Sequence, residues 1–351
     1  MSKPFTEFTG LEMLKIDIAN TYGLDKELYE DRIKWVDALN YGTPIKEWDE
    51  VYEKAYKNSS EPLLFHKAIR AYTKAMKFKP TGHNMFMDAT ASGLQIMAAL
   101  SRDPMTAKYV NLVDSSKRYD AYTEVTEEMI RRLPDSKLFE GLTHKEIRSL
   151  VKKPIMTHYY NSQAKPKEIF GEGTKELETF YDVLDDMFPG AESVLSIIND
   201  YWNPNAYEHT WTLPDGHVCK VKVIDKVETR IEAEELSVNQ INYTCYYNQP
   251  SDNGRSLAPN IIHSIDAYIA REMVRRAKKQ GFELAHIHDA FTCHPNHMTK
   301  AMVNYREILA EISEMNLLDS ILSEISGKHE DVRPYKYDLA ADIRKSEYAL
   351  S

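Results

Sequence analysis

Leu284-Ala285-His286-Ile287-His288-Asp289-Ala290-Phe291-Thr292-Cys293-His294-Pro295 is the stretch around which the rest of the chain is organised. Leu284, His286 and His288 alternate with Ala285, Ile287 and Asp289, a period of two that predicts a strand. Pro295 closes the return side, so the segment reads as a short hairpin with Asp289 near its tip. A carboxylate at the end of an apolar strand is unfavourable unless something positive sits beside it.

A second segment has the same character. Asn84-Met85-Phe86-Met87-Asp88 reads as a short buried strand ending in an aspartate, and small residues follow it (Ala89-Thr90-Ala91), as Ala290 follows Asp289. Small neighbours let a bulky ligand approach the backbone. Taken singly, each aspartate reads equally well as a turn or cap residue. Two carboxylates that converge repel each other unless a cation lies between them, and a pair of divalent ions is the usual solution where phosphoryl oxygens are bound. Residues 143 to 160 read as a helix in which Pro154 should make a break or kink unless it falls near an end. Arg148 and Lys152 are four apart and share a face, so they can grip one polyanion; Met156 and Tyr160 continue the step. That row would line a path for a nucleotide, although the spacing alone also fits an exposed amphipathic helix.

Composition bounds the possibilities. The chain has 351 residues, 42% hydrophobic and 28% charged, enough for one large domain or two to three smaller ones. No apolar run approaches a membrane span, and the start lacks the apolar core of a signal peptide. Cys219, Cys245 and Cys293 lie far apart, which suits a reducing compartment. The net charge of −10 argues against non-specific coating of nucleic acid but not against a nucleic-acid enzyme, because two stretches are locally basic, 62–87 and 144–169. Helices are expected at 7–21, at 25–39 with Asp25 as cap, and at 62–79, where Lys67, Arg70, Lys74 and Lys77 make a stripe that reads as a solvated face. Further helices are expected after Ser92 as cap, and at 115–133, 174–202, 262–280 and 296–326, with 41–60 a connector and 207–224 a hairpin. His263 would sit at a helix start. A zinc site at His286, His288, Cys293 and His294 is disfavoured, since no second ligand pair has finger-like spacing.

Taken together the pieces resemble the single-subunit RNA polymerases of phages and mitochondria. Asp88 through Gln95, followed by Ser101-Arg102-Asp103, is similar to that family's motif A. Arg148 through Ser162, with Lys152, Pro154, Met156 and Tyr160, resembles motif B, and His288-Asp289-Ala290-Phe291 resembles motif C. Flanking matches keep the same order: Leu14-Lys15-Ile16, Thr212-Leu213-Pro214-Asp215-Gly216 and Ala258-Pro259-Asn260-Ile261-Ile262-His263-Ser264. The resemblance implies a mainly helical α+β fold, a right-hand polymerase with palm and fingers around a small antiparallel palm sheet, the thumb and N-terminal domain being absent. Its parts would be 1–135 (palm with motif A), 136–205 (fingers core with motif B) and 206–351 (palm hairpin, remaining fingers helices, motif C and a C-terminal foot).

The same resemblance implies DNA-templated RNA synthesis by a two-metal mechanism. Asp88 and Asp289 would bind two Mg2+ ions. Lys152, Arg148 and Lys15 would contact the triphosphate, with Met156 beside it. Tyr160 would lie under the incoming nucleotide and help select ribose, and His263 would probe the product or base pair from the minor groove. His288 would support the metal site, while Ser162 and Gln95 would contact nucleic acid. The implied partners are a DNA template, nascent RNA, NTPs, a second polymerase subunit supplying the N-terminal portion of a heterodimer, and a single-stranded-DNA-binding helper; the location would be a host cytoplasm, without a membrane. Two positions depart from the pattern: Asn161 stands where a Gly is usual, and Ala89 where a Gly is frequent. One alternative is a template-directed DNA polymerase with the same palm, which usually has Glu where this chain has Ala290. Another is a non-catalytic nucleic-acid-binding subunit.

Overall fold

The computed structural model describes residues 6–40, 48–115, 117–232, 242–250 and 254–351. Helices α1 (Gly10–Ala19), α2 (Tyr29–Leu39), α3 (Trp48–Tyr56) and α4 (Pro62–Met76) lead into strand β1 (Met85–Asp88). Helices α5 (Ser92–Ser101), α6 (Pro104–Tyr109), α7 (Ala121–Arg132), α8 (His144–Tyr159), α9 (Ala164–Phe170), α10 (Lys175–Met187) and α11 (Pro189–Asp200) follow. Two hairpins come next, β2 (Glu208–Thr212) with β3 (Val218–Lys222), and β4 (Ile224–Glu232) with β5 (Asn242–Pro250). The long helix α12 (Leu257–Lys279) precedes β6 (Ala285–Ile287) and β7 (Ala290–Cys293), and α13 (Pro295–Glu314), α14 (Leu317–Ser326) and α15 (Leu339–Ile343) close the chain. The fold is therefore α+β and mainly helical, with small antiparallel sheets. Among the described residues no helix is long and apolar enough to cross a membrane.

The central sheet has the order β1-β7-β6, antiparallel throughout. Asp88 pairs with Ala290, and Ile287 with Ala290 across the hairpin, so His288-Asp289 is the two-residue turn. β1 is buried only on alternate residues, which corrects the expectation of a fully buried strand there, and β6 is an exposed edge.

Other boundaries moved for identifiable reasons. The stretch 174–202, expected as helix, is two helices, because Pro189 occupies the first turn of α11 and Phe188 before it leaves the helical region (φ −128°, ψ 49°). Pro154 lies inside α8 without ending it. The row Ile147, Val151, Ile155 and Tyr159 is buried at steps of four, and that packing outweighs the lost backbone bond. Asp25 does not cap α2, whose cap residue is Leu28, and Ser92 is the first residue of α5 rather than its cap. α3 lies within the stretch read as a connector, whose first part, 41–47, falls outside the described residues. Because α12 starts at Leu257, His263 is in its second turn and not at its start. One continuous core draws on all three segments of the chain, and a smaller one joins α1 to α4 through Leu14, Ile18, Val36, Tyr52, Phe65 and Ile69.

Candidate active site

Asp88 ends β1 on its open face, and Asp289 is the second residue of the adjoining turn. Just past them the Ala89 N–H donates to the Asp289 carbonyl (3.2 Å), and the Ser351 N–H donates to the Asp88 carbonyl (2.9 Å). These backbone bonds hold the two aspartates on neighbouring segments. His288 adopts a positive φ of 54°, the first turn position, where glycine is usual. Its carbonyl accepts from His286 Nδ1 (3.1 Å), so that nitrogen carries the proton. Ala89 stands where more space was expected, and its methyl is buried beside the bridge to Leu350.

Both carboxylates line a cavity of about 300 Å³ whose opposite wall is α8. A capping box between Thr143 and Glu146 starts that helix. One residue along from its buried row, Arg148, Lys152, Met156 and Tyr160 all reach the cavity. The Lys152 ammonium lies 5.1 Å from the Tyr122 ring centre and forms no ion pair among the described residues. Arg148 donates from Nε (2.8 Å) and Nη2 (2.5 Å) to Asp120 Oδ2. After Tyr160 the chain turns through Asn161 at φ 59°; the Asn161 N–H donates to His158 O (2.7 Å) and the Ser162 N–H to Thr157 O (2.9 Å). That is a Schellman ending, and asparagine is the side chain that best tolerates the left-handed position after glycine, so the turn survives the substitution.

The electrostatics are polarised across the cavity. Burial and then the charges of Asp289 and Asp25 push the Asp88 carboxyl above its usual range, against a smaller opposing pull from Lys152. Asp266, on α12, is pushed up to about 6 by burial and by Asp289. The Tyr160 hydroxyl is also raised, by burial and then Asp266 and Asp289. Its ring packs on His263 at 4.7 Å, so His263 joins the site through Tyr160 rather than by lining the cavity. Burial, then His288, lowers His263.

Two sequence expectations are not met. Lys15 does not line the cavity; its ammonium is paired with Asp37 at 2.5 Å on the side where α1 packs on α2. Gln95 is fully buried and cannot touch nucleic acid. Its Nε2 donates to Thr90 Oγ1, Val110 O and Ala349 O, and its Oε1 accepts from the Tyr305 hydroxyl. Ser162 lies in the turn after α8, outside the cavity lining. Conversely, Lys26 and, at the start of α7, Asp120 and Tyr122 line the cavity without having been singled out, because they lie on segments other than α8 and carry no spacing signal. Among the described residues there is no cluster of three or more His, Cys, Asp or Glu suited to a metal.

The family model for DNA-dependent RNA polymerase matches residues 4–169 and 202–349. The chain belongs to that family. The mitochondrial DNA-directed RNA polymerase 1 of Arabidopsis thaliana is 26% identical over 368 residues, 92% of this chain and 37% of that protein. DNA-directed RNA polymerase 2 of the same plant, chloroplastic/mitochondrial, is 24% identical over 377 residues, 93% of this chain and 36% of that protein. This RNA polymerase family member thus spans a little over a third of the length of these curated relatives. Among solved structures, the POL domain of Pol1 from M. smegmatis, in complex with DNA primer-template and dNTP, has a TM-score of 0.39 and 14% identity, over 86% of this chain and 63% of that one.

Proposed function

We propose that this chain joins ribonucleotides on a DNA template, as the catalytic palm and fingers of a phage-type RNA polymerase. The observation that carries the reading is that Asp88 and Asp289 meet at one cavity facing the unpaired Lys152. Two like charges held together, with the Asp88 carboxyl raised by burial and then by Asp289, favour a cation between them, and an all-oxygen donor set suits Mg2+. Two Mg2+ ions held by Asp88 and Asp289 would supply activation of the RNA 3′-hydroxyl and charge neutralisation on the triphosphate.

The chain's own groups account for the rest. Lys152 and Arg148 bind the phosphates, with Met156 beside them at the cavity wall. Tyr160, packed at a tilt against His263, forms the surface for the base and ribose of the incoming nucleotide. The left-handed His288 supports the turn that aims Asp289. The small Ala290 next to that turn favours the RNA over the DNA polymerase reading.

The test is RNA synthesis on single-stranded DNA with Mg2+, using the chain purified with whatever accompanies it. Asp289→Ala should abolish synthesis while leaving fold and template binding intact; undiminished synthesis refutes the metal assignment. A preference for deoxyribonucleotides would move the reading to a DNA polymerase. The same preparation tests the proposed second subunit and single-stranded-DNA-binding helper, since efficient elongation by the lone monomer removes the need for either.

A further inference from the structure

Asp120 sits at the start of α7, facing the cavity, and one of its oxygens gathers several donors. Asp120 Oδ2 accepts from Arg148 Nε (2.8 Å), Arg148 Nη2 (2.5 Å) and Thr123 Oγ1 (2.7 Å), and the Lys26 ammonium lies 3.6 Å away. Burial raises this carboxyl, but the Thr123 hydroxyl and the Arg148 and Lys26 charges outweigh it and hold it below its usual range. Asp120 is therefore a firm anion. Beneath the pair lies the Tyr122 ring, 5.8 Å from the Arg148 guanidinium and 5.1 Å from the Lys152 ammonium.

An arginine fork has five N–H groups. Asp120 and Thr123 engage Nε and Nη2, while Nη1 makes no hydrogen bond among the described residues, although Arg148 lines the cavity. A guanidinium held along one edge and supported on one face presents its remaining edge in a fixed direction. Order of that kind lowers the entropy lost when the edge closes on an anion.

We propose that Asp120 is a positioning residue for phosphate binding: it holds Arg148 by the Nε edge, on the Tyr122 ring, so that the Nη1 edge is ready for the triphosphate of the incoming nucleotide. The proposal rests on the polymerase reading above. It predicts that Asp120 acts only through Arg148.

The experiment is a double-mutant cycle on steady-state NTP incorporation, with Asp120→Asn, Arg148→Ala and both together. Asp120→Asn should raise KM for all four NTPs about tenfold, with kcat within about twofold. The double variant should be no worse than Arg148→Ala alone. Thr123→Val, which keeps the carboxylate, should raise KM about threefold, and it serves if Asp120→Asn does not fold. An unchanged KM in Asp120→Asn, or a double variant that shows the full product of the two single effects, overturns the proposal. If Arg148→Ala itself leaves KM unchanged, the phosphate role of Arg148 fails, and with it that part of the polymerase reading. Loss of all activity in Asp289→Ala alongside an unaffected Asp120→Asn overturns only the positioning role.

Discussion

Replacing Gln95 by leucine tests the largest departure from the sequence reading. Gln95 was expected to touch nucleic acid, and the structure buries it completely among four hydrogen bonds. Leucine has a similar volume and no polar atoms. Thr90 Oγ1 and Val110 O keep their bond to each other (3.0 Å), so those groups stay satisfied. The Ala349 carbonyl and the buried Tyr305 hydroxyl each lose their partner. An unsatisfied buried group costs about 1–3 kcal/mol, so two cost about 4 kcal/mol. The apolar leucine recovers about 1 kcal/mol of transfer energy. A net loss of about 3 kcal/mol, spread over a chain of this size, lowers Tm by about 4 °C. Thermal unfolding followed by circular dichroism measures it. Tyr305→Phe removes one of the same bonds, so the pair Gln95→Leu with Tyr305→Phe should fall short of additivity. A melt within about 1 °C of the parent, combined with weakened template binding, would refute the structural role and restore the nucleic-acid contact.

Three further outcomes follow from particular residues. Thr143→Ala removes the hydroxyl half of the capping box that starts α8, leaving the residue-143 N–H on the Glu146 carboxylate, and should destabilise by about 1 kcal/mol in chemical denaturation. Asn161→Val forces a β-branched residue to φ 59° and should cost about 2 kcal/mol, whereas Asn161→Gly should cost well under half of that; equal effects would show that the turn conformation is not the constraint. Asp266 is held at about 6 instead of 3.8, chiefly by burial, so the folded state binds its proton more tightly than the unfolded state does. Its stability contribution is full below about pH 4 and is lost as pH rises through 6. In chelator, Asp266→Asn should therefore gain about 2 kcal/mol over the parent at pH 7.5 and nothing near pH 4, read from Tm against pH.

What the sequence disclosed depended on whether a residue's neighbours lie along the chain. Asp88, Asp289 and the row Arg148, Lys152, Met156, Tyr160 were legible because strand and helix periods alone decide which residues share a face, and these six reach one cavity. Gln95 was not legible. Eight of the ten residues of α5 are buried, so the helix has no polar side and nothing marks which way Gln95 points. Lys15 failed similarly: α1 is buried at Met13, Leu14 and Ile16 through Ala19, and the Asp37 that captures its ammonium belongs to another helix. Asp120 and Tyr122 reach Arg148 and Lys152 only through the packing of α7 against α8, a tertiary fact with no local trace. The β4–β5 ribbon had no expectation attached to it, and among the described residues its strands pair with each other alone.

The geometry of the two aspartates is set by apolar residues that never touch the cavity. In the β1–β7 ladder Met85 faces Cys293 and Met87 faces Phe291, and each of these four side chains is only 1% exposed. Their alternation leaves Phe86 and Asp88 on the open face. A slip of β1 by one residue would turn Met85 and Met87 outward and drive the Asp88 carboxylate into the core. Losing even two of those side chains to solvent costs several kcal/mol, and burying an unpaired carboxylate costs more. The register is thus locked by hydrophobic burial, and the pairing of Asp88 with Ala290 is its consequence. Asp289 follows, because the short turn leaves no slack between Ile287 and Ala290. The repulsion between the two carboxylates is then imposed by packing energy far larger than itself. That is how a sheet of three short strands can hold like charges together.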